Sequence, residues 1–100
     1  MPKLYNYLGI IVYFYSDEHL PVHVHGKYAE YESKAEIIFD EGVIKDIQLR
    51  TVKGRKPLKK KEQELFLELV NDKAQEITEK WFDYFVKGIK PETVEINTKL

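Results

Sequence analysis

VHVHGKYAEYESKAEIIF, residues 22 to 39, is the stretch on which the fold turns. Val22 and Val24 alternate with His23 and His25, the period of a strand whose successive side chains leave opposite faces. Gly26-Lys27 reads as a hairpin turn of the glycine-first type. From Tyr28 to Phe39 the alternation resumes, with Tyr31, Ser33, Ala35, Ile37 and Phe39 opposing Glu30, Glu32, Lys34, Glu36 and Ile38. That pattern predicts an antiparallel pair with one face buried.

Working outward, Gly9 to Tyr15 is β-branched and aromatic on both faces, which predicts a central strand. Asp40-Glu41-Gly42 predicts a turn, and Val43 to Leu49 a fourth strand. Pro57 marks a helix start, and Leu58, Leu65, Phe66, Leu69 and Val70 recur at helical spacing. Asn71-Asp72 reads as a break, with Asp72 and Gln75 at capping-box spacing, and one unbroken helix as the alternative. Ile77, Trp81, Tyr84 and Phe85 continue a stripe that Gly88 closes. The expectation is an α+β single domain over residues 1–100: an antiparallel meander of about four strands packed against two C-terminal helices. The meander spans about 8–50, a basic loop 51–57, the helices about 58–88 and a tail 89–100, in which Thr93 to Asn97 is a short strand or loose.

The chain has 100 residues, 43% apolar and 33% charged, with a net charge of −1. Overall charge therefore selects no partner. With no cysteine, disulfides, thiolate nucleophiles and cysteine-bound metal clusters are excluded. The N-terminal apolar run, Leu8 to Tyr15, is far short of the ~20 residues that span a bilayer, so a cytoplasmic protein with no membrane contact is expected.

All three histidines, His19, His23 and His25, fall within seven positions. Three readings stay open. As metal ligands, His23 and His25 leave one strand face at i, i+2, with His19 or Glu30 completing a site for a divalent metal. As catalysts, two imidazoles supply an acid and a base near neutral pH, with Tyr28 orienting a substrate oxygen. As structural or docking groups, they fix the turn around Pro21 or meet a partner. The glycines that flank the similar cupin metal motif are absent, and Lys27 stands where a histidine-triad hydrolase needs its third histidine.

Eight of the 16 basic residues lie between Lys45 and Lys61, opposed only by Asp46. Arg50, Lys53, Arg55 and Lys56 are the candidates for phosphate contact. No aromatic residue lies between Arg50 and Lys61, so base stacking there is not indicated.

LGIIVYFY, EHLPVHVHGKYAEYESKAEI and QEITEKW, in that order, resemble a family of small bacterial proteins, the domain-of-unknown-function family four-one-six-zero. Gly9, Ile10, His19, Pro21, His23, His25, Tyr28, Glu30, Tyr31, Ala35 and Trp81 fall on matching positions. Val22 and Val24 replace a proline and a phenylalanine of that pattern, and the basic stretch is longer than in a typical member. The resemblance implies no established activity. It implies a toxin–antitoxin-like gene pair, hence a binding or regulatory module whose partner is a small protein encoded by a neighbouring gene. The basic loop, read on its own residues, is where RNA contact is expected. A small metal-dependent enzyme or metal-binding domain built on His19, His23 and His25 is the alternative.

Overall fold

A computed structural model describes residues 2–15 and 21–100, so His19 lies outside the described residues. Six strands and one helix follow in the order β1 (Lys3–Tyr7), β2 (Ile10–Tyr13), β3 (His23–Tyr28), β4 (Tyr31–Asp40), β5 (Val43–Thr51), α1 (Lys60–Phe85) and β6 (Val94–Ile96). They form one mixed sheet ordered β5-β4-β3-β2-β1-β6, with α1 across one face. The class is α+β as expected, but the described residues form a six-strand mixed sheet and one helix rather than a four-strand meander and two helices.

Three corrections carry physical reasons. The expected first strand begins too early, because Leu8 and Gly9 both take positive φ, 51° and 90°, and form the two-residue turn that joins β1 to β2. The strand before that turn, KLYNY, was not expected. It buries Leu4, Tyr5 and Tyr7 completely and gives β6 its parallel partner. The 93–97 segment is thus a strand, paired to β1 after the helix returns the chain across the sheet.

The expected turn at Gly26-Lys27 lies inside β3, and the chain turns at Ala29-Glu30, with Ala29 at φ 55°. Gly26 is there because α1 approaches closely. A Cβ at this position would stand 2.6 Å from the Phe66 ring. The glycine reports helix-to-sheet packing rather than a turn.

A single helix replaces the expected pair. Its buried residues, Phe66, Leu69, Val70, Ala74 and Ile77, keep helical spacing straight through Asn71-Asp72. Asn71 donates from Nδ2 to the Leu67 carbonyl at 2.8 Å, so it is absorbed within the helix instead of ending it. The helix starts at Lys60 rather than Leu58 and stops where expected. Ile89 N–H donates to the Asp83 carbonyl at 2.9 Å, with Gly88 at φ 73° in the left-handed cap.

Between helix and sheet lies the core: Leu4, Tyr5, Tyr7, Ile10, Val12, Phe14, Val24, Ala35 and Ile37 against Leu58, Phe66, Leu69, Val70 and Ile77. Phe14 meets the Phe85 ring at 5.7 Å. The loop between β5 and α1 is tied to the sheet by Glu32 N–H on the Lys56 carbonyl and by Leu58 N–H on Ser33 Oγ. Among the described residues no helix is long and apolar enough to cross a membrane.

Candidate functional site

Strand phase divides the residues of β3. Val24 and Gly26 meet the helix, so His23, His25 and Lys27 leave the opposite face, which α1 does not cover. Cross-strand register extends this face in rows: Tyr13, His25, Lys34 and Arg50 in one, Ile11, Lys27 and Glu32 in a second, His23, Glu36 and Gln48 in a third.

At the centre of these rows is a buried carboxylate–imidazole pair. His25 is 1% exposed and Glu32 2%. His25 Nδ1 lies 3.0 Å from Glu32 Oε2, and the Tyr15 hydroxyl donates to the same oxygen at 2.8 Å. Arg55 Nε approaches Oε1 at 3.4 Å from the loop. Aromatic rings close over the pair: Tyr15 lies 4.1 Å from the His25 ring, and Tyr13 stacks on it at 5.4 Å.

Burial pushes the Glu32 carboxyl up, but hydrogen bonds from Tyr13, Tyr15 and His25, with the charge of His25, outweigh it. The group sits below its ordinary value and is ionised at neutral pH. Burial, then Tyr15 and Glu32, raise the Tyr13 phenol well above its ordinary value of 10, so it remains a donor. An ionised carboxylate only accepts, so His25 Nδ1 carries the proton of this bond. His23 Nδ1 lies 2.6 Å from the Pro21 carbonyl, which also only accepts. A ring that donates from Nδ1 presents Nε2, when neutral, as the nitrogen of a general base or a metal ligand. The two rings stand 5.4 Å apart, edge to face.

The other sequence candidates are placed as follows. Glu30 lies exposed in the β3–β4 turn, away from His25. A turn at Gly26-Lys27 would pair His23 with Glu30, whereas the observed turn pairs His23 with Glu36 and sets Glu32 diagonal to His25. Tyr28 ends β3 in phase with Val24 and Gly26, and is 39% exposed. Among the described residues no group of three or more His, Cys, Asp or Glu is placed to hold a metal ion. Arg50 pairs with Glu36 at 3.5 Å and Gln48 at 2.5 Å, Arg55 with Glu32, and Lys53 and Lys56 are exposed on the loop. Lys3, Lys27 and Lys34 form no ion pair among the described residues.

Sequence reasoning missed Glu32, Tyr13 and Tyr15. The signal was present: Glu32 is the only carboxylate of β4 two positions from Lys34, the residue opposite His25, on the turn side. It required the correct turn to be read.

Fold and site together define a class: an α+β protein with a helix on one sheet face and a buried His–Glu pair under cationic residues on the other. The family model described as Domain of unknown function (DUF4160) matches residues 9–82, and the chain belongs to that family. No curated protein and no solved structure matches it. The matched span runs from the β1–β2 turn to Phe82 of α1, and so contains the whole His25–Glu32 site.

Proposed function

We propose that this chain is a cytoplasmic, RNA-contacting regulatory module acting with a small protein partner, a component of a toxin–antitoxin-type pair. One observation carries the reading: the register that gathers His23 and His25 on the helix-free face also sets Lys27, Lys34 and Arg50 there. Arg50 and Arg55 pair with Glu36 and Glu32, so Lys3, Lys27 and Lys34 are the cations of this face that form no ion pair among the described residues. Buried imidazoles form the floor, and the exposed Lys3, Lys27 and Arg50 with the half-buried Lys34 form the rim that a phosphate backbone meets. An exposed apolar stripe on the other side, Phe82, Val86 and Ile89, supports the partner half of the reading.

Fluorescence anisotropy with a labelled single strand of about ten nucleotides tests the RNA contact. Affinity is expected to fall with salt, and the Lys34→Gln, Arg50→Gln double variant to bind at least about tenfold more weakly with a shallower salt slope. Binding by the variant equal to wild type would end the reading.

A second reading, a divalent metal on His23 and His25, is favoured by the spacing of their rings. Two imidazoles sharing one tetrahedral metal have ring centres about 5 Å apart, given Zn–N bonds of about 2.1 Å. The observed separation is 5.4 Å. Metal analysis and melting with and without chelator separate the two readings. A metal-free protein with unchanged melting removes the second.

A further inference from the structure

Beside the histidines, on the same helix-free face, strands β1 to β3 enclose a groove of about 340 Å³ lined by Lys3, Gly9, Ile11, Tyr13, Lys27 and Ala29. Register explains its make-up. Lys3 stands opposite Tyr13, and Ile11 opposite Lys27, so two cations flank an apolar and aromatic floor. Both lysines are exposed and form no ion pair among the described residues. At the hairpin end the groove is bounded by Gly9 and Ala29, both small and both at positive φ, which leaves its mouth open. Tyr13 is the shared wall: it lines the groove, and its ring stacks on His25 at 5.4 Å.

We propose that this groove binds one nucleotide, its phosphate between Lys3 and Lys27 and its base against Ile11 and Tyr13. The size lies at the lower end of small-molecule sites, about 300–1,000 Å³, which suits a single nucleotide. Two unpaired ammonium groups call for an anion with more than one charged oxygen. The floor between them calls for a flat, weakly polar ring, and a base offers a π-face whatever its identity. Simple anions use only the first feature and aliphatic chains only the second. The nucleotide's source as one residue of an RNA strand rests on the reading above, since the groove adjoins the row of Tyr13, His25, Lys34 and Arg50. A free nucleotide meets the same chemistry, and the test separates the two.

Isothermal titration of the full chain with uridine 5′-monophosphate, uridine, inorganic phosphate and a short single-stranded RNA is the experiment. The monophosphate is expected to bind about tenfold or more tightly than either uridine or phosphate, the factor that one stacked base contributes. Lys27→Gln and Lys3→Gln each weaken it at least about fivefold, Ile11→Asp abolishes it, and Lys59→Gln leaves it unchanged. Urea melts of each variant verify folding. The proposal is overturned if phosphate binds as tightly as the monophosphate, if both lysine variants bind like wild type, or if the monophosphate does not bind at millimolar concentration. RNA binding that ignores the groove variants overturns the groove and leaves the RNA reading standing. Monophosphate binding in the groove without RNA binding does the reverse.

Discussion

At Glu32 a carboxylate is held ionised at 2% exposure because its bonding capacity is filled by Tyr15, His25 and Arg55. Removing it takes the acceptor from the half-buried Tyr15 hydroxyl and the buried His25 N–H, and Glu32→Ala is expected to cost about 2–3 kcal/mol in urea denaturation. Arg55 adds little to that loss, since its side chain is 37% exposed and returns to water. The same carboxylate sets a pH dependence. Its folded-state value lies below the ordinary 4.5, so as pH falls the unfolded chain takes up the proton first. Its stabilisation is complete above about 4.5 and disappears as pH falls through the folded value. Glu76, lowered chiefly by the Tyr5 hydroxyl, titrates in the same direction, so the Glu32 share must be read as a difference. Melting temperatures of wild type and Glu32→Gln should be fully separated above pH about 4.5 and draw together as pH falls through the folded value. Parallel curves would refute the assignment.

Among the elements, β3 shows why part of the site was legible and part was not. The alternation of Val22 to His25 placed both imidazoles on one face, and that phase is observed. Which carboxylate they meet depended on where the chain turned, and Gly26 points to a turn unless the helix that presses on it is known. That contact is non-local, Gly26 to Phe66, and no short window of sequence contains it. Gly26→Ala is expected to destabilise by about 1–3 kcal/mol through overpacking, and Phe66→Leu in the same chain to restore part of it. Additive costs in a double-mutant cycle would contradict the contact. The helix has a similar lesson. Asn71-Asp72 looks like a break locally, yet the buried stripe from Phe66 to Ile77 is continuous, and burial outweighs a polar pair on the outer side. Its start is weak: Lys59 occupies the N-cap with no side-chain bond, and Glu62 is the acidic residue of the first turn. Lys59→Ser creates a capping box with Glu62 and is expected to add about 0.5 kcal/mol, the cap's gain of about 1 less the lost cation–π contact with Tyr31. An unchanged urea midpoint would show that the cap does not form.

For the whole molecule, the fold class followed from strand alternation giving way to a helical stripe. The sixth strand did not, because a three-residue parallel edge leaves almost no periodic trace, and its partner β1 is more than 80 residues away in the chain. Charge was legible as a run from Lys45 to Lys61 but not as a surface, since folding pairs Arg50 and Arg55 with Glu36 and Glu32 and brings Lys3, Lys27 and Lys34 onto the same face. On the proposed function, the working surface is this helix-free face. Amide chemical-shift mapping of the full chain with a short single-stranded RNA tests it most directly. Shifts are predicted along Tyr13, His25, Lys34 and Arg50 and across Ile11 and Lys27, with Phe82 on α1 and Val86 at its C-cap unmoved. Shifts confined to the helix, or to the 52–59 loop alone, would contradict it.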